Sequence, residues 1–167
     1  MNKMNISIAS VRWNDRISIV GLILIVLLIL VTTSNIEISL LTKLQQDYIY
    51  KQLTGFLLSG FILYQWYFAF ARQLEPAQAK QKLQRHKIVG LLMPVLLFIH
   101  STQTGHAYQA FIWAVFIIHC SVGFLNPEFM GLKKRRLRLF WFIAHISLSV
   151  MVSGLLVFHL YIVYSYS

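Results

Sequence analysis

Cysteine occurs once in this 167-residue chain, at Cys120, proline three times, and acidic side chains only five times. A lone thiol cannot close an intrachain disulfide, and no C-x-x-C-H is present for covalent haem attachment. Charged residues make up 12% of the sequence, whereas an ordinary soluble domain carries about a quarter. With 57% apolar residues, that scarcity excludes a disordered tail, a collagen-like fibre and a typical soluble fold. The acidic residues, Asp15, Glu37, Asp47, Glu75 and Glu128, all fall outside the long apolar runs. A transporter or proton path using intramembrane histidine is therefore disfavoured.

What the chain does have is apolar sequence in unbroken stretches, and runs of roughly 18 or more residues with few charges read as bilayer spans. Five are expected: Ile17–Thr33, Thr54–Ala71, His86–Thr104, Tyr108–Phe124 and Leu139–Tyr164. The first exceeds the core of a signal peptide, about 7 to 15 residues, and ends in VTTSN without a small-residue cleavage pattern, so it is expected to be retained. Between the third and fourth runs, STQTGHA with Gly105 makes a tight hairpin. The fold class is an all-α integral membrane protein of five transmembrane helices. It forms one membrane domain over 1–167, with span one (17–33) peripheral and a core over 54–164. No segment reads as a soluble domain.

Charge orients the chain. Lys3, Arg12 and Arg16 precede the first span, Arg72, Lys80, Lys82, Arg85 and Lys87 join the second to the third, and Lys133, Lys134, Arg135, Arg136 and Arg138 join the fourth to the fifth. Only Lys43 and Lys51 lie on the other side. The positive-inside rule then places the N-terminus in the cytoplasm and the C-terminus outside. The net charge of +10 is a topology signal. Nucleic acid is not an expected partner, because no soluble groove-reading element accompanies the basic residues.

Histidine inside a span is costly and rare, so function is the default hypothesis. Of the six, His86 and His100 stand fourteen residues apart on the third span, and His145 and His159 stand fourteen apart on the fifth. Fourteen helical steps return to within about 40° of the starting direction and rise roughly 21 Å. Each pair therefore looks out of one helix face at two depths. Because both spans run from inside to outside, His86 belongs near the level of His145, and His100 near that of His159. Two imidazole pairs, one above the other, are what two six-coordinate haems between facing helices require. Gly90 and Ser149, one turn after the inner histidines, are small where a macrocycle would press on the helix, and Met93 and Val152 continue the stripe. Small residues are also ordinary helix-packing residues in membranes. Pro94 removes an amide from the third helix between the two levels.

The segments RHKIVGLLMPVLLFIHS and AHISLSVMVSGLLVFHLY resemble the haem-binding core of the ferric reductase-like transmembrane superfamily, which includes ferric reductases, NADPH oxidase cores and the bacterial haem subunit of methionine sulfoxide reductase. The resemblance covers about spans two to five. It implies two b-type haems in series, His86 and His145 holding the inner iron and His100 and His159 the outer. Electrons would enter on the cytoplasmic side of a bacterial inner membrane and leave on the outer side. The flavin and nicotinamide domain of the reductases and oxidases is not recognisable in this chain. Any enzyme activity is thus expected to need a redox partner protein, such as a flavin reductase, or a quinone.

Haem propionates need cations or hydrogen-bond donors. Arg85, Lys87 and Arg138 stand at the inner boundary, and Lys51, Ser101, Thr102 and Tyr108 at the outer. Each cation singly also reads as a positive-inside charge. His119, counted from the outer boundary, lies about 18 Å deep, between the two histidine levels. With Gln65 at a comparable depth it is expected to form a hydrogen-bonded packing pair or a site tuning the haems. His119, Gln65 and Tyr64 are also the candidates for a quinone pocket. His106 is expected in the outer loop, Cys120 as an inert buried thiol, and Trp13, Trp141, Tyr161, Tyr164 and Tyr166 as interfacial anchors. The function these residues point to is transmembrane electron transfer from a cytoplasmic or quinone-pool donor to an outer-side acceptor. The alternatives are a quinol-oxidising cytochrome b anchor of a multi-subunit oxidoreductase, and, in another class, a structural subunit or a histidine-based transporter.

Overall fold

The computed structural model describes residues 4–34, 38–74, 76–105 and 107–165, with side chains outside 4–14 and 71–76. Lys3, Glu37, Glu75, His106 and Tyr166, and the side chains of Arg12, Trp13 and Arg72, lie outside the described residues. Among the described residues every regular element is helical: α1 (Met4–Thr33), α2 (Ser39–Gln46), α3 (Tyr48–Leu74), a 3₁₀ turn at Pro76–Gln78, α4 (Ala79–His100), α5 (Tyr108–Phe124) and α6 (Arg135–Ser165). Three stretches are long and apolar enough to cross a bilayer: Asp15–Thr33, Tyr48–Phe70 and Arg135–Ser165. This is an all-helical membrane protein. α5 is apolar but shorter, at 17 residues. α4 carries Lys80, Lys82, Arg85 and Lys87 in its first half, so its apolar part begins only after them.

Two helix starts differ from the apolar runs for local reasons. α3 begins at Tyr48, ahead of Thr54, because Asp47 Oδ1 accepts a hydrogen bond from the Tyr50 amide at 2.8 Å and so caps one of the orphan donors of the first turn. α6 begins at Arg135, its basic residues being good helix formers that extend the apolar run backwards.

The chain divides into two compact units, Val26–Phe111 and Met1–Ile25 with Ile112–Ser167. In the first, α3 and α4 form an antiparallel hairpin: Gln65 meets the His86 backbone near the turn, and Thr54 meets His100 at the far end. Leu58, Ser59, Phe68, Met93, Pro94 and Leu97 are buried, Pro94 below 2% exposure. α2 is held at the open end of this hairpin. Gln45 Nε2 donates to the carbonyls of Phe98 (2.9 Å) and Ile99 (3.1 Å), while its Oε1 accepts from the Thr102 amide (3.2 Å) and hydroxyl (2.8 Å). The Tyr50 hydroxyl adds a bond to Ile99 O at 3.1 Å. The unsatisfied carbonyls that every helix C-terminus presents are met here by side chains. In the segment that follows, Gly105 stands at φ 68° and Ala107 at φ 49°, left-handed backbone of the kind that a glycine adopts freely.

The second unit holds the N-terminal part of α1, most of α5, and α6. Ser18, 1% exposed, accepts a hydrogen bond from buried Asn126 Nδ2 at 2.9 Å. Asn126 Oδ1 in turn accepts from the amides of Glu128 (3.2 Å) and Phe129 (3.1 Å), an Asx turn that closes the loop after α5. A Cβ at Gly21 would collide with the Phe124 ring, so glycine permits the close approach of α1 to the end of α5. On this part of α1 Ile17, Ser18 and Ile25 are buried. α6 presents most of its apolar surface outward, with Phe140 at 72% and Val157 at 68% exposure, a surface that lipid and not water satisfies.

Candidate functional site

The four histidines of equal spacing sit on two uninterrupted helices, His86 and His100 on α4 and His145 and His159 on α6, and all four are half-buried. Their surroundings differ. His100 is the last residue of α4. Its Nδ1 lies 3.1 Å from Thr54 Oγ1, and its ring lies over Gly55, where a Cβ would come within 3.1 Å of Cε1. The backbone carbonyls just before it are those held by Gln45 and Tyr50. His86 stands in the first half of the same helix, where its carbonyl accepts from Gln65 Nε2 at 3.2 Å.

His145 is surrounded by rings. His119 of α5 lies parallel to it, centroids 4.7 Å apart with 15° between planes, and Trp141, one turn earlier on α6, stacks at 5.3 Å and 7°. A Cβ at Gly123 would come within 3.3 Å of His145 Cε1, so here too an imidazole packs against a glycine of the neighbouring helix. Trp141 Nε1 donates to the Val122 carbonyl at 2.8 Å, which joins α6 to α5 and makes this indole more than the interfacial anchor expected.

His119 does not sit between two histidine levels: it stacks on His145. Counting depth from a boundary shared by the start of α5 and the end of α6 fails because His119 stands 11 residues after Tyr108 and His145 stands 20 residues before Ser165, so helices stacked at these rings do not end level. Gln65 gives its amide nitrogen to α4, and its buried Oε1 finds no hydrogen-bond partner among the described residues. Gly90 has a role the sequence did not reveal. A Cβ there would lie 3.3 Å from Gln65 Nε2, so the missing side chain makes room for that amide. Ser149 turns its hydroxyl onto the His145 carbonyl at 2.9 Å, leaving its outer surface small.

Of the expected propionate partners, Arg85, Lys51 and Arg138 are exposed, and Arg138 Nε donates to the Leu132 carbonyl at 2.6 Å. Ser101 donates to Gln103 O at 2.8 Å, while Lys87 and Tyr108 are half-buried. Among the described residues no three His, Cys, Asp or Glu side chains gather as a metal-ion cage. The donor set is imidazole alone, two per helix. That suits a haem iron, which takes four nitrogens from its macrocycle and asks the protein for two axial ligands.

Sequence reading missed Thr54, Gly55 and Gly123, each of which faces a histidine from a neighbouring helix and carries no periodic signal. Trp141 had one: it precedes His145 by four residues and so shares its helix face. No family model matches the chain, and neither does any curated protein or solved structure.

Proposed function

We propose that this chain is a five-span membrane cytochrome of the ferric reductase-like type that carries electrons across a bacterial inner membrane, with His86 and His145 ligating an inner b-type haem and His100 and His159 an outer one. The observation that carries the reading is the repeated fourteen-residue spacing of histidines on two helices that stay continuous over the whole interval. The seating of two of these imidazoles against glycines supports it, since a ligand ring held by backbone keeps its orientation. Haem bound by two imidazoles supplies a one-electron couple without an open coordination site. The protein's own residues orient the rings, exclude water from them and surround them with apolar helix. The basic stretches 80–87, in the first half of α4, and 133–138, at the start of α6, would mark the cytoplasmic side, where a flavin reductase or another oxidoreductase subunit would dock.

A quinol-fed version has one observation in its favour. Gln65 Oε1 is a buried acceptor lacking a donor, which a quinol hydroxyl would supply. Adding quinol to the purified protein and watching haem reduction separates this version from the flavoprotein-fed one.

The test of the main reading is a pyridine haemochrome assay on protein made in haem-replete cells. Two haems per chain are expected, with one lost in His86→Ala or His145→Ala and the other retained. A colourless, folded preparation overturns the proposal.

A further inference from the structure

Thr54 Oγ1 has one proton and two neighbours that want it. The Tyr50 carbonyl, four residues back on α3, lies at 2.8 Å, and His100 Nδ1 lies at 3.1 Å. A carbonyl has no proton to give, so the bond to Tyr50 exists only if Thr54 donates it; Lys51 O, at 3.3 Å, is a weaker acceptor for the same proton. With its proton committed to the backbone, the hydroxyl can meet His100 only as an acceptor. His100 must then carry hydrogen on Nδ1, which in a neutral imidazole puts the lone pair on Nε2.

We infer that Thr54 is a positioning residue that locks His100 in the Nδ1–H tautomer and thereby makes Nε2 the metal-ligating atom. This rests on the proposed haem ligation, and it adds the device that prepares the ligand before haem arrives. Three other contacts serve the same end. Gly55 lets the ring lie against α3, with a Cβ position only 3.1 Å from Cε1, 3.6 Å from Nδ1 and 3.8 Å from Nε2. Gln45 and Tyr50 hold the carbonyls of Phe98 and Ile99, so the terminal turn that bears His100 does not fray. Backbone position, ring plane and tautomer are thus set by residues of α2 and α3. A metal-bound histidine whose other ring nitrogen donates a hydrogen bond is held and made more basic by it, and loss of such a partner costs about 10–100-fold in affinity.

The experiment has two arms. In haem-free, full-length protein labelled with ¹⁵N-histidine and reconstituted in bilayers, solid-state NMR should show His100 protonated at Nδ1 and bare at Nε2. Thr54→Val, close in volume, should abolish that preference, and Thr54→Ser should keep it. In haem-loaded protein Thr54→Val should bind one of its two haems about 10–100-fold more weakly and raise that haem's midpoint potential, because the imidazole becomes a poorer donor, with Thr54→Ser restoring both. An Nε2–H tautomer in the wild type, or a Thr54→Val protein with unaltered tautomer, haem affinity and potential, overturns the inference. Retention of both haems in His100→Ala overturns the ligation reading instead, while the haem-free spectra still judge the tautomer.

Discussion

His100 and His145 are the same residue on helices of the same chain, yet they are held by different forces. His100 sits at a helix end among hydroxyl, amide and carbonyl groups, and its orientation is dictated by hydrogen bonds from α2 and α3. His145 sits within a helix, and its orientation is dictated by parallel rings, His119 and Trp141. Hydrogen bonds specify which ring nitrogen bears the proton; stacking specifies the plane of the ring. The contrast follows from position. A helix terminus has unsatisfied backbone groups that attract polar side chains, whereas in mid-helix the backbone is already satisfied within the helix. Glycine is the shared element, Gly55 beneath one imidazole and Gly123 beneath the other.

The strongest way to break the comparison is to fill those glycines. Gly55→Val should displace His100, and Gly123→Val should displace His145, each removing one of the two proposed haems in a haemochrome assay and sparing the other. If either substitution removes both, the two seats are not independent. A smaller effect is expected from the polar clamp. Gln45→Ala forfeits four hydrogen bonds at the end of α4 and should destabilise the folded protein by about 2–4 kcal/mol in denaturant titrations in micelles. Trp141→Ala removes one hydrogen bond and one stacked ring and should cost about 1–3 kcal/mol in the same titration. Smallest of all is His119. Replacement by Ala should cost about 0.5–1.5 kcal/mol, replacement by Phe should recover most of it, and neither should lower haem content. A large loss of haem in His119→Phe would mean that this imidazole acts through its nitrogen and not its face.

The long helices were legible because composition alone dictates them: apolar residues dominate 17–33 of α1 and 139–164 of α6. α2 was not, since Ser39–Gln46 is only eight residues long and as polar as it is apolar, so nothing in it reads as a bilayer span. Apolar sequence was expected to supply five crossings, and three helices meet the length and composition such a crossing demands. α4 falls short because its lysines and arginine lie inside the helix itself. At the site, the histidines announced themselves by spacing, a property of one helix. Thr54, Gly55 and Gly123 act across a helix–helix contact, and which residue faces which there depends on the register of two packed helices. Gln65 shows the limit plainly: its polarity marked it for a partner in lipid, but the partner is the His86 backbone, a group common to every residue.

The bond between Ser18 and Asn126 spans 108 residues, and it has a consequence for biogenesis. α1 leaves the ribosome ahead of α5, carrying a hydroxyl and the Gly21 notch whose complement has not yet been translated. Synthesis proceeds at about 5–20 residues per second, so the nascent helix waits on the order of ten seconds in the bilayer before the end of α5 emerges to fill that notch. The N-terminal part of α1 thus keeps this notch open until a helix translated much later arrives to close it.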